Sequence, residues 1–141
     1  MPLLYIIFEI LDRSKFNKFL TIYELIKLAN MDEQPVPVPY WKEIIPSYSK
    51  KYFNTVEYPE TEYDCSKMDF AHIINHLQRD LEVVYLDCVE FEPGKARLEL
   101  VPEAFPYGGL SNLITFMKTF ECKAIKVDLG NDIQSIRWET N

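Results

Sequence analysis

Glycine and basic residues are both scarce in this chain. Only four of its 141 residues are glycine, which argues against a glycine-rich phosphate-binding architecture. Lysine and arginine together number 15 against 22 aspartates and glutamates, so the formal net charge is −7. Because a basic stripe that could neutralise phosphates is lacking, we expect binding neither to nucleic acid nor to an anionic membrane surface.

Cysteine is also infrequent. The three cysteines, Cys65, Cys88 and Cys122, are odd in number, and no two of them have CxxC spacing. A disulfide framework or a structural zinc cluster is therefore not expected. Cys88 and Cys122 lie in apolar surroundings typical of small core residues. The sequence thus predicts free thiols, a reducing cytoplasmic location and no bound cofactor.

The longest apolar run, residues 3–11, stands near the start of the chain. It resembles the core of a signal peptide, but it contains Glu9, has no positively charged leader and has no small-residue cleavage site. It is also too short to span a bilayer. We therefore expect a buried element here, either a strand or a helix, since periodicity alone does not decide between the two.

Hydrophobic periodicity predicts an α+β fold within a single domain, residues 1–141. Apolar residues at helical spacing predict three main helices, at about 14–30, 67–81 and 110–121, the first capped by Ser14 and the second by a capping box over residues 66–69. Alternating segments predict two hairpins, at about 83–101 and 123–138. Strands grouped as hairpins favour an antiparallel sheet covered by helices on one face, with residues 3–11 as a candidate additional strand.

The acidic residues are concentrated in the second part of the chain. Residues 1–60 carry eight acids against seven bases, whereas residues 61–141 carry fourteen against eight. Two stretches, residues 57–64 and 80–92, contain no basic residue. The first combines acids with tyrosines, which suit the capture of a basic partner: fixed charge steers encounter and tyrosine supplies contact area. The predicted partner-binding residues are Glu57, Tyr58, Glu60, Glu62, Tyr63 and Asp64.

His72 and His76 form a candidate metal site. They are four residues apart on a predicted helix, which places both imidazoles on one side, where a metal ion could bridge them. The remaining ligands would come from Asp69, Asp80 or the acidic segment. The alternative interpretation is two solvated histidines on a polar helix face.

A second candidate ligand site precedes the last predicted helix. Tyr107, Gly108 and Gly109 lead into that helix, whose free N–H groups could bind an anion with help from Ser111. No lysine or arginine stands beside the glycines, as phosphate-binding loops require. The alternative is a tight turn that only leads the chain into the helix.

Two further groups bear on catalysis. A thiol of Cys88 or Cys122 paired with one of the histidines would form a nucleophile only if it lay in a polar cleft. Strand alternation places Asp87 on an otherwise apolar face, where its carboxylate needs an arginine partner, Arg97 or Arg137, or a raised pKa.

Two functional hypotheses follow from these features. The first is a small acidic, non-enzymatic protein-binding module, such as an inhibitor or immunity-type protein that neutralises a basic partner. The second is a small ligand- or metal-binding domain or enzyme that uses the Tyr107–Gly109 loop and His72/His76. The exposed edge of the last hairpin additionally offers an interface for a homodimer.

Overall fold

The computed structural model describes residues 3–56, 61–103, 110–128 and the backbone of 133–135, which together form five helices and seven strands. The helices are α1 (Arg13–Met31), α2 (Val38–Ile44), α3 (Ser47–Lys50), α4 (Phe70–Arg79) and α5 (Leu110–Lys118). The strands are β1 (Leu4–Ile10), β2 (Phe53–Asn54), β3 (Met68–Asp69), β4 (Val83–Glu92), β5 (Lys95–Pro102), β6 (Cys122–Asp128) and β7 (Ile133–Ser135).

Five of the strands form one antiparallel sheet in the order β4-β5-β1-β6-β7. Both predicted hairpins are present, as β4–β5 and β6–β7, and the α+β prediction is confirmed. The apolar segment near the start of the chain is the central strand of this sheet, pairing with β5 on one edge and β6 on the other. Residues 136–138 of the predicted last strand lie outside the described residues.

Only one face of the sheet is buried. Along β1, Leu4, Ile6 and Phe8 are at most 1% exposed, whereas the alternate residues Tyr5 and Ile7 are half-buried. Helices α1, α4 and α5 contribute their apolar stripes to the same core. Among the described residues, none of the helices combines the length and the apolar character that crossing a membrane requires.

Aromatic rings fill much of the space between the helices and the sheet. Phe19 of α1 stands 5.7 Å from Phe120 and 6.4 Å from Phe116 between ring centroids, and the latter two rings are 5.2 Å apart. Such tilted pairs stabilise a core beyond the contribution of their buried area. This cluster fixes α1 against the segment that joins α5 to β6.

Two helices begin at an aspartate and not at the predicted serine. The Asp12 carboxylate accepts a hydrogen bond from a first-turn N–H of α1 at 3.1 Å, while Ser14 donates its hydroxyl proton to Asp12. Asp69 likewise caps α4, at 3.2 Å, so this helix begins at Phe70 and not within the predicted capping box of residues 66–69. A carboxylate is a stronger acceptor than a hydroxyl, and Asp69 is also placed by pairing of β3 with β2.

The environment predicted for Asp87 is wrong. Its side chain is 76% exposed, and its nearest basic group is the Lys27 ammonium at 3.8 Å, not Arg97. The register of β4 against β5 shifts between Tyr85 and Cys88, so strict alternation fails at this point. A β-bulge of this kind redirects the side chains that follow it. Asp87 is consequently a surface residue and not a buried, perturbed carboxylate.

A bidentate ion pair joins the start of α1 to β4. Two guanidinium nitrogens of Arg13 lie 2.6 and 2.7 Å from the two carboxylate oxygens of Glu90, which also accepts a bond from the Gly94 N–H. Hydrogen bonding from Arg13 lowers the pKa of Glu90 from 4.5 to about 2. Because the folded-state pKa is depressed, the stabilisation is complete above the unfolded-state pKa and disappears as the pH falls through the folded-state value.

We expect Glu90→Gln to lower the denaturation midpoint at neutral pH, and the difference from the parent protein to shrink as the pH falls from 4.5 to about 2. Denaturant titrations across this pH range measure the effect. Glu43→Gln, which removes an exposed carboxylate without an ion pair among the described residues, is the control and should show no such trend. A constant difference between the Glu90 variant and the parent at every pH would contradict the assignment.

Candidate functional site

The predicted acidic, tyrosine-bearing segment is described only in its second half. Glu57, Tyr58 and Glu60 lie outside the described residues. Glu62 and Asp64 are exposed, and Tyr63 is half-buried. The two described carboxylates therefore face solvent, as a surface that steers a charged partner requires.

A buried amide holds the Asp64 end of this segment in place. Asn54 at the end of β2 is 4% exposed, and its side-chain oxygen accepts a hydrogen bond from the Asp64 N–H at 2.8 Å. Its amide nitrogen donates to the carbonyl oxygens of Asp64 at 2.7 Å and of Lys67 at 3.0 Å. All of these bonds reach across the loop between β2 and β3. The position of the Asp64 backbone is thereby tied to the core.

The Asp64 carboxylate is held by local hydrogen bonds and not by an ion pair. It accepts bonds from the hydroxyl of Ser66 at 2.6 Å and from the Ser66 N–H at 2.9 Å, which lower the pKa of Asp64. Within the described part of the chain, neither Glu62 nor Asp64 forms a salt bridge with a lysine or arginine. Their charge is thus not compensated by a neighbouring cation in an ion pair.

The two histidines lie side by side on α4. Their ring centroids are 6.3 Å apart, and His72 is exposed. Asp69, considered above as a further ligand, caps the helix instead. Across the residues that the structure describes, no group of three or more histidine, cysteine, aspartate or glutamate side chains is arranged to hold a metal ion. The pair thus supplies two ligands, whereas a closed zinc site needs four.

The second candidate ligand site is described only at Ser111. Tyr107, Gly108 and Gly109 lie outside the described residues, and Ser111 is exposed in the first turn of α5. Their role in a ligand site therefore stays a prediction.

The surroundings of Cys88 and Cys122 decide whether these thiols can act as nucleophiles. Burial raises the pKa of the Cys88 and Cys122 thiols to about 12. At neutral pH only on the order of one molecule in 10⁵ would carry either thiolate. Since the thiolate is the nucleophile, neither residue is equipped for nucleophilic catalysis in this environment.

Sequence reasoning missed one surface feature, at the end of α4. The predicted helix extends to residue 81, but α4 ends at Arg79 and Leu81 is 80% exposed. The backbone of Asp80 is extended, and its carbonyl oxygen accepts a hydrogen bond from the Asn30 side chain at 2.9 Å. The position of Leu81 between two acids, Asp80 and Glu82, was the one sequence signal for its exposure.

No family model, no curated protein and no solved structure matches this chain. The chemistry and placement of the side chains are therefore the basis for inferring a function.

We expect Asn54→Ala to lower the free energy of unfolding by about 2–3 kcal/mol, because it removes the partners of buried backbone groups in the loop. Amide exchange at Asp64 should accelerate, since its N–H loses its acceptor. Asn17→Ala is the matched control, because Asn17 is exposed on α1 and this change should alter stability by less than about 0.5 kcal/mol. Equal effects of the two substitutions would show that Asn54 does not hold the loop.

Proposed function

We propose that this chain is a non-enzymatic module that binds a basic partner protein, in the manner of an inhibitor or immunity-type protein. The observation that carries the proposal is the exposure of Glu62 and Asp64, without a salt bridge among the described residues, on a loop that Asn54 attaches to the core at Asp64. The net charge of −7 gives the whole chain the same electrostatic preference.

The physical advantage of this arrangement is a prepositioned charge. Exposed carboxylates raise the rate of encounter with a cationic surface, and this effect weakens as salt screens it. A loop that is already ordered loses less conformational entropy on binding than a free one. On this proposal Glu57 and Glu60 extend the acidic surface along the chain, while Tyr58 and Tyr63 supply the contact area that slows dissociation.

The first test is capture of a partner from an extract of the source cells by the tagged protein. We expect a basic protein to be retained at about 0.05 M salt and largely released at about 0.5 M salt, since screening shortens the range of the attraction. The double variant Glu62→Gln/Asp64→Asn should retain about tenfold less of it. Glu43→Gln/Glu92→Gln removes the same net charge elsewhere and should retain as much as the parent.

Kinetics with the captured protein then separate the two roles. Neutralising the acids should lower the association rate at low salt, whereas Tyr63→Ala should mainly raise the dissociation rate. Failure to retain any basic protein at either salt concentration would overturn the proposal. Equal losses in both charge variants would show that only net charge matters and that the segment has no specific role.

A further inference from the structure

Leu81 stands at the meeting point of three open surface grooves. Its side chain lines all three, between the end of α4 and the start of β4, and is 80% exposed. Single exposed leucines are common on protein surfaces and need no explanation. This one is different because other apolar side chains and several carboxylates border the same grooves.

The apolar neighbours come from α1 and β4. Met31, in the last turn of α1, is 60% exposed and lines one groove together with Leu81, Val83 and Val84. The result is an apolar strip that runs from the last turn of α1 to Leu81, with grooves beside it that a protruding side chain of a partner could fill.

Helix α1 ends in a conformation that its sequence does not favour. The Gln34 N–H bonds to the Ala29 carbonyl and the Glu33 N–H to the Asn30 carbonyl, the two bonds of a Schellman motif. This motif places Glu33 in the left-handed region, with φ of 53°. Glycine is the usual residue there because a Cβ makes this conformation strained.

The charges at the C-terminal end of α1 are also arranged against the helix dipole. Its first turn contains no acid and its last turn no base, while Asp32 and Glu33 follow directly at the negative end. Acids at that end are destabilising. The C-terminal end of α4 lies at the same place, since the Asn30 side chain donates to the carbonyl oxygens of Gln78 and Asp80. The negative ends of two helices therefore add to the local carboxylate charge.

Further carboxylates complete a negative rim around the strip. Glu33 and Glu103 line the groove that Met31 and Leu81 share, and Glu82 lines the next one. Arg79 is the one arginine or lysine that borders the three grooves within the described residues. One carboxylate oxygen of Glu82 is buried without a hydrogen-bond partner among the described residues. A cationic group from outside would improve the electrostatics of this rim.

The surface is held rigidly from beneath. Gln78 is 2% exposed, and its side chain both accepts from the Val36 N–H at 2.6 Å and donates to the Val36 carbonyl at 3.1 Å. The Glu103 N–H donates to the Glu82 carbonyl at 2.7 Å. These bonds fix the segments on either side of Leu81 relative to α4. The strip is therefore formed in advance of binding, which reduces the entropy lost on association.

We propose that the surface formed by Met31, Glu33, Leu81, Glu82 and Glu103, here termed the Leu81 surface, binds a basic segment of a partner protein that presents a large apolar side chain among lysines or arginines. The apolar side chain packs beside Leu81 and Met31, and the cations lie against the acidic rim. Charge complementarity selects this occupant over an anionic membrane, which the rim would repel. The inference concerns a surface separate from residues 57–64 and holds whether or not that segment binds a partner.

The test is an NMR titration with a defined probe, a short synthetic peptide in which lysines surround a pair of leucines, at about 0.15 M salt. We expect the Met31 and Leu81 methyl signals to shift most. Leu81→Ser should weaken binding about tenfold, as expected for loss of a central apolar contact. Leu11→Ser is the matched control, because Leu11 is 56% exposed beside the opposite end of α1 and its loss should not change the affinity.

Peptide variants and a second protein variant keep the outcomes distinct. A peptide with glutamates in place of the lysines should not bind, and one with alanines in place of the leucines should bind about tenfold more weakly. Glu62→Gln/Asp64→Asn should leave the titration unchanged, so failure of the proposed function would not affect this result.

Shifts that map away from the Leu81 surface, or equal binding by the Leu81→Ser variant, would overturn the inference. A dimer in light scattering that Leu81→Ser dissociates would also overturn it, since a second copy would then be the occupant.

The Glu33→Gly variant separates a role of Glu33 in binding from its effect on stability. Glycine relieves the left-handed strain at φ of 53°, so the thermal unfolding midpoint should rise by about 2–5 °C. The same change removes a rim carboxylate and should lower the affinity for the lysine–leucine peptide about threefold. Unchanged affinity in the stabilised variant would contradict a role for Glu33 in binding.

Discussion

The hydrogen bonding of β1 on both of its edges is the constraint on which the rest of this structure depends. This strand joins the two hairpins into one sheet, and Leu4, Ile6 and Phe8 bring the covering helices onto a single face. Because side chains alternate along a strand, a slip of one residue would turn those three to solvent and Tyr5 and Ile7 to the core. Both the pairing of the hairpins and the packing of α1 would then be lost together.

Amide side chains at the edge of the core hold the backbone of nearby surface segments in place. Asn54 binds the backbone of the loop that bears Asp64, whereas Asn30 and Gln78 bind the backbone around Asp80 and Val36. An amide has both donor and acceptor atoms, so it can satisfy backbone groups that no helix or strand pairs. The backbone at Asp64 and at Asp80, one residue in each loop, is therefore held by the folded core.

Much of the fold could be predicted from the sequence, because the helices and hairpins arise from local periodicity. The position of β1 could not, since its partners Lys95–Leu100 and Cys122–Asp128 are far away in the chain. Alternation failed at Asp87 because a bulge adds a residue without any local signature. Helical spacing from Leu77 failed at Leu81 because the chain turns at Asp80, whose carboxylate accepts a bond from the Glu82 N–H and whose carbonyl accepts one from the Asn30 side chain. The candidate acidic segment was identified from composition, but the amide that fixes it was not.

Acids stand at both ends of α1, and only the acid at its start favours the helix. The Asp12 carboxylate caps the N-terminus, where negative charge is stabilising. At the C-terminal end the opposite occurs: Asp32 and Glu33 follow the last turn, with Glu33 in a backbone conformation that suits glycine. Such local costs are tolerated in natural proteins chiefly where a function requires them. In the proposed role of the Leu81 surface, exposed Leu81 and Met31 beside these acids would give that cost a reason, because an apolar contact surrounded by negative charge discriminates among partners by their charge.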